Sequence, residues 1–235
     1  MNERTGEMHA GYAEDYEGLQ PDRSLVTSQD DLDLLWPDPL SLTHYRWRYR
    51  KTEAPNIIRN VFRAYWSMAT VLALMELHSL ERGFQYDAVI LARPDVWFHT
   101  DIDLPRRQFP LPEKTVFLPT FDTDARNGKR KNDRFAYGSL EVMRVVMNRI
   151  ATLLNQDAGE LPANTESEGV LGYHLQAHNI SVSCIDFPLS RIRMTGDIPN
   201  PDHKRVRKAC ESGNDPIACD MQDLGYRFPV ADEPT

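Results

Sequence analysis

The feature that most constrains the fold is a short apolar run that stops on charge. Residues 86–98 read Tyr-Asp-Ala-Val-Ile-Leu-Ala-Arg-Pro-Asp-Val-Trp-Phe. Ala88 to Ala92 is too short for a helix and holds two β-branched residues, so it reads as a strand buried on both faces. Such strands belong to α/β sheets covered by helices. Arg93-Pro94-Asp95 then sets a cation, a φ-locked residue and a carboxylate at the strand's carboxyl end, before Val96-Trp97-Phe98 resumes an extended pattern. Open α/β sheets bind ligands at the carboxyl ends of their strands. The triplet is therefore either a site or a turn in which Arg93 and Asp95 pair in solvent.

The strongest helix precedes it, from Pro55 to Arg82. Proline suits a first helical position and Gly83 a left-handed stop. Ile58, Phe62, Tyr65, Ala69, Leu72, Met75 and Leu80 recur at helical spacing. Thr115 to Leu118 reads as a strand. A helix is expected from about Leu140 to Leu154 with Ser139 as its cap, and another over Thr165 to Ala177 with Val170, Leu171, His174 and Leu175 facing inward. Ile180 to Phe187 is a strand, which Ser190 to Arg193 extends. Residues 1–30 form a polar acidic arm, 31–195 one α/β domain, and 196–235 a loosely attached tail.

Composition narrows the partners. The formal charge of −8 speaks against a broad nucleic-acid footprint, and no stretch is apolar and long enough to span a bilayer. The amino terminus lacks the order of a signal peptide, so a cytoplasmic location is favoured. The three cysteines, with none in C-x-x-C spacing, read as free thiols, or Cys210 and Cys219 close a loop. Tyr45 to Arg50 alternates aromatic and basic residues, as a strand with an inner aromatic face or as a stacking surface for a base or sugar.

Four pieces in order carry a resemblance: the long helix running into YDAVILARPDVWF, the segment NDRFAYGSLEVM, the acidic helix start SEGVLGYHL, and an Ile-rich strand ending in RIR. Together, over roughly Asn56 to Arg193, they resemble an Arg-Pro-Asp-containing group of glycosyltransferase-like proteins with the GT-A, nucleotide-diphospho-sugar transferase fold. The resemblance implies one Rossmann-like domain with a mixed sheet flanked by helices. Part of the fold's first βαβ unit has no counterpart before the long helix.

It also implies a function: transfer of a sugar from a nucleotide-diphosphate donor to a glycan or other hydroxyl acceptor. The alternative is a degenerate, non-catalytic binding or scaffold protein of the same fold. In that fold an Asp-x-Asp motif holds a divalent metal and the diphosphate. Here the triplet replaces the first carboxylate with Arg93. Asp95 is then the candidate ligand for Mn²⁺ or Mg²⁺, and Arg93 can neutralise diphosphate directly through bidentate bonds. Asp133 is expected to line the donor or acceptor pocket, Arg191 and Arg193 to reach phosphate, and Glu168 to be the base, with Glu166 as runner-up. Asp101, Asp103 and His203 are not assigned as ligands.

Overall fold

The computed structural model describes residues 20–26, 28–37, 54–98, 109–120, 131–154, 167–185, 187, 189–192 and 202. Expectations for Tyr45 to Arg50, Asp101, Asp103, Glu166, Arg193, His203, Cys210 and Cys219 fall outside them.

Helix α1 (Gln29–Leu35) begins at Ser28, whose hydroxyl accepts from the Asp30 N–H. Helix α2 (Ala54–Arg82) runs to Gly83, which adopts φ 68° as a left-handed stop requires. Trp36 packs on Phe62 and Trp66, and Arg63 donates to Asp33 at 3.0 Å, so α1 is fastened to α2 by rings and charge together.

The sheet strands are β1 (Val89–Ala92), β3 (Thr115–Pro119), β4 (Phe135–Gly138) and β5 (Ser181–Ile185), in spatial order β1-β4-β3-β5. β4 runs antiparallel to β1 and β3, whereas β3 and β5 are parallel, so the sheet is mixed. β2 (Val96–Phe98) and β6 (Leu189–Arg191) form a separate antiparallel ribbon. Helices α3 (Leu140–Met147), α4 (Ile150–Leu154) and α5 (Ser167–Ala177) complete the described elements. The architecture is α/β, with a mixed sheet and flanking helices.

Side-chain alternation sorts the layers. Val116, Leu118 and Ala136 point to one face, where they meet Leu72 of α2, Val142, Met143 and Val146 of α3, and Leu171 and Leu175 of α5. Phe117, Phe135 and Tyr137 point to the other, against Leu111, Phe187 and Leu189, with Val96 and Phe98 of the ribbon packed alongside. Phe117 and Tyr137 are cross-strand partners with stacked rings, centroids 4.5 Å apart. Behind the first layer, Ile58, Phe62 and Tyr65 of α2 join Ile150 and Leu153 of α4 and Val170 of α5 in a helix–helix core.

Four expectations need correction. β1 is not buried on both faces: it lies at the end of the strand order and Ile90 is 41% exposed. Leu80 does not belong to the buried stripe of α2; it is 80% exposed. The helix expected over Leu140 to Leu154 is two, separated by Asn148 and Arg149. Leu189 to Arg191 does not extend β5 but crosses to pair with β2. β4 was not foreseen as a strand at all.

Candidate functional site

The register brings the carboxyl ends of β1, β3 and β5 to one edge, beside the amino end of β4. Ala92 pairs with Phe135, so Arg93 follows next to Arg134 and donates its N–H to the Arg134 carbonyl at 3.2 Å. Thr120, just past β3, donates its N–H to the Ile185 carbonyl at 2.8 Å. The ribbon joins the same edge, because the Ile192 N–H donates to the Asp95 carbonyl at 2.9 Å.

The Arg-Pro-Asp turn is closed on itself. Arg93 donates from Nε to Asp95 Oδ1 at 2.8 Å and from Nη2 to Oδ2 at 2.6 Å, a bidentate pair with side chains 39% and 36% exposed. Burial acts to lower the Arg93 pKa, but the Asp95 hydrogen bonds and the charges of Asp95 and Asp133 outweigh it and raise it, against opposition from Arg191. Arg191 is engaged too. Its backbone N–H and Nε donate to Asp202 Oδ2, both at 2.9 Å, and Nη2 donates to Oδ1 at 3.0 Å. Burial raises the Asp202 pKa, yet the Arg191 hydrogen bonds and the Arg191 and Arg134 charges hold it below the usual carboxylate value. Asp202 is thus a buried anchor from beyond β6.

Asp133 does not pair with its sequence neighbour Arg134. It faces Arg149, with Nη2 to Oδ2 at 4.0 Å. Arg149 is fully buried, its guanidinium lies 4.6 Å above the Tyr65 ring, and among the described residues none of its three side-chain nitrogens has a hydrogen-bond acceptor. Burying a charged donor unsatisfied costs at least about 1–3 kcal/mol, so the chain tolerates this only with compensation nearby. The Tyr65 hydroxyl donates to the Ser167 carbonyl at 3.1 Å, and the Lys131 N–H donates to the Glu168 carbonyl at 3.0 Å. Burial pushes the Tyr65 phenol well above its ordinary pKa, the Arg149 charge opposes this, and the Asp133 and Glu168 charges add to it. Glu168, in the first turn of α5, is therefore in electrostatic range of the same group.

Of the expected site residues, the edge gathers Arg93, Asp95, Asp133 and Arg191, with Glu168 tied to the approaching loop by the Lys131 bond. Sequence reasoning missed Arg149, Tyr65 and Asp202. Arg149 stands three residues after Val146 and four before Leu153, both buried, which is the periodic signal that it faces inward.

The residues do not assemble a metal centre as they stand. Both Asp95 oxygens are taken by Arg93, and no group of three or more His, Cys, Asp or Glu among the described residues could hold an ion. Also among the described residues, no helix is long and apolar enough to cross a membrane.

A surface groove of about 360 Å³ lies elsewhere, lined by Arg144, Asn148, Thr152, His174 and His178 among others, and contains none of the expected residues. His174 has no free ring nitrogen there: Nε2 donates to the Val145 carbonyl at 2.8 Å, leaving Nδ1 to accept from the Thr152 hydroxyl. Burial lowers its pKa to about 4, with His178 and Arg149 acting in the same direction and the Val145 bond opposing. Depth alone does not make this groove the site, since its one buried titratable group is already satisfied.

No protein-family model, curated protein or solved structure gives a significant match to this chain.

Proposed function

We propose that the chain is a GT-A-like glycosyltransferase that moves a sugar from a nucleotide-diphosphate donor to a hydroxyl acceptor. The observation that carries this is the convergence of Arg93, Asp95, Asp133 and Arg191 at the carboxyl edge of a mixed α/β sheet, where such sheets take ligands. Arg93 neutralises the diphosphate by exchanging Asp95 oxygens for phosphate oxygens of the same geometry, and Arg191, held by buried Asp202, adds its charge beside it. Asp133 accepts hydrogen bonds from sugar hydroxyls. Glu168 takes the proton of the attacking hydroxyl as its oxygen bonds the anomeric carbon and the bond from that carbon to the diphosphate oxygen breaks. Help of this kind is worth about 10²–10⁴-fold in rate. The charge left on the departing diphosphate is met by the two guanidinium groups.

A second reading has an observation of its own. Arg93 and Arg191 are both already neutralised by Asp95 and Asp202, which favours a non-catalytic member that keeps the edge closed. Calorimetric titration with UDP, GDP and CDP, with and without Mn²⁺, on the native chain and Asp95→Ala, separates them. The transferase reading expects micromolar binding of one nucleotide. Dependence on Mn²⁺ that vanishes in the variant would make Asp95 a metal ligand, whereas tighter metal-free binding by the variant would mean Asp95 competes for Arg93. No nucleotide binding by folded protein refutes the transferase reading.

A further inference from the structure

The group that these roles leave unexplained is Arg149. A guanidinium carries five N–H donors in a fixed fork. Here the fork is wholly buried and has no acceptor among the described residues. Its surroundings are specific. The Tyr65 ring lies flat against it at 4.6 Å, Asp133 is 4.0 Å away, and the Asp133 and Glu168 charges both act on Tyr65.

The 4.0 Å spacing matters. It is within ion-pair range but too long for a hydrogen bond. Arg149 therefore attracts Asp133 without occupying its lone pairs. The Asp133 side chain keeps 11% of its surface exposed, and among the described residues no hydrogen bond to its carboxylate is present. The two carboxylates arrive on segments that are joined directly, by the Lys131 N–H on the Glu168 carbonyl. Tyr65, covered by Arg149, holds the Ser167 carbonyl at the start of the same helix. One buried positive charge thus sits behind the Asp133 carboxylate. Glu168, on the adjoining segment, is engaged locally, its Oε2 accepting from the Ser167 hydroxyl at 3.2 Å.

We propose that Arg149 is a positioning residue, the fixed counter-charge that holds Asp133 toward one hydroxyl-bearing ligand, a sugar. The role rests on the transferase reading for the identity of that ligand. A phosphate group does not suit this place, because the Asp133 carboxylate would repel it; the phosphates belong beside Arg93 and Arg191. A neutral hydroxyl suits it, since a hydroxyl donates to a carboxylate and accepts from a neighbouring donor.

The test compares the nucleotide that binds with its hexose-bearing form, by calorimetry, on the native chain, Arg149→Met and Arg149→Lys. The affinity added by the sugar is expected to fall about tenfold or more in Arg149→Met and to return within about threefold of native in Arg149→Lys. The parent nucleotide should bind all three within about twofold. Equal loss for nucleotide and nucleotide sugar, or a sugar contribution that Arg149→Met leaves intact or that the native chain lacks, overturns the proposal. Should Arg149→Met not fold, the Nε–H resonance of Arg149 in ¹⁵N-labelled native protein decides: it must shift with nucleotide sugar and stay with parent nucleotide, and a resonance blind to both overturns the role. If no nucleotide binds, the transferase reading falls on its own. Asp133→Asn must then still move the Arg149 resonance, and an unmoved resonance removes the positioning role as well.

Discussion

Asp202 offers the sharpest quantitative test of how the candidate edge is built. Its carboxylate receives three hydrogen bonds from Arg191 at 2.9, 2.9 and 3.0 Å and is almost wholly buried, while the Arg191 side chain is 24% exposed. Replacing one partner of a buried pair costs about 3–5 kcal/mol because the other charge is stranded. Arg191 keeps partial access to water, so Asp202→Ala is expected to cost less, about 2–3 kcal/mol at pH 7. With a urea slope of about 2 kcal/mol/M, the unfolding midpoint should drop by about 1–1.5 M. The sign of the pH dependence follows from the lowered folded-state pKa. Between that value and the ordinary carboxylate pKa near 4, the unfolded chain binds more protons than the folded one, so stability rises with pH there. The contribution is complete above about pH 5 and is lost as pH falls through the folded value. Urea titrations of both proteins at pH 7 and at successively lower pH should show the gap narrowing in acid. Equal midpoints at pH 7, or a gap that holds constant into acid, would refute the assignment of Asp202 as a charge-paired anchor.

Two further outcomes follow from the core. His174 is buried neutral with its pKa lowered to about 4, so the native chain should lose stability as pH falls from about 6.5 toward 4, by on the order of 2–3 kcal/mol, and His174→Gln should flatten that slope in urea titrations. A Cβ on Gly138 would meet Val142 Cγ1 at 3.2 Å and the Thr115 carbonyl oxygen at 3.4 Å; Gly138→Ala should therefore cost about 1 kcal/mol net of its smaller chain entropy, and a stabilised variant by thermal unfolding would show that β4 and α3 have room to part.

The legible parts of the fold are those where local chemistry and tertiary demand agree. Proline near the start and Gly83 at φ 68° bound α2 in both sequence and structure. Val170, Leu171, His174 and Leu175 are all buried as their spacing required. β4 was illegible because its four residues, Phe-Ala-Tyr-Gly, are buried on both faces and show no alternation of apolar with polar. Leu80 misled because helical spacing alone does not say whether a residue meets a neighbouring layer; it is 80% exposed. The candidate site was legible where charge interrupts an apolar run, at Arg93 and Asp95, and at the acidic start of α5. It was illegible where the partner comes from far along the chain. Nothing local to Asp133 indicates Arg149, and nothing local to Arg191 indicates Asp202.

The parallel pairing of β3 with β5 has a kinetic consequence. Thr115 lies opposite Ser181, a separation of 181 − 115 = 66 residues, and β4, α3, α4 and α5 lie within that span. Closing a loop of this length costs about 4 kcal/mol in chain entropy before any strand contact repays it. Pairings of high sequence separation are intrinsically slow to form, so docking of β5 should belong to the late part of folding. The residues at the ligand edge are drawn from Arg93 through Arg191, on either side of that closure. The edge is consequently a property of the finished chain. A species in which β5 has not docked presents no assembled edge, so under the proposed function nucleotide binding would report completion of the β3–β5 pairing.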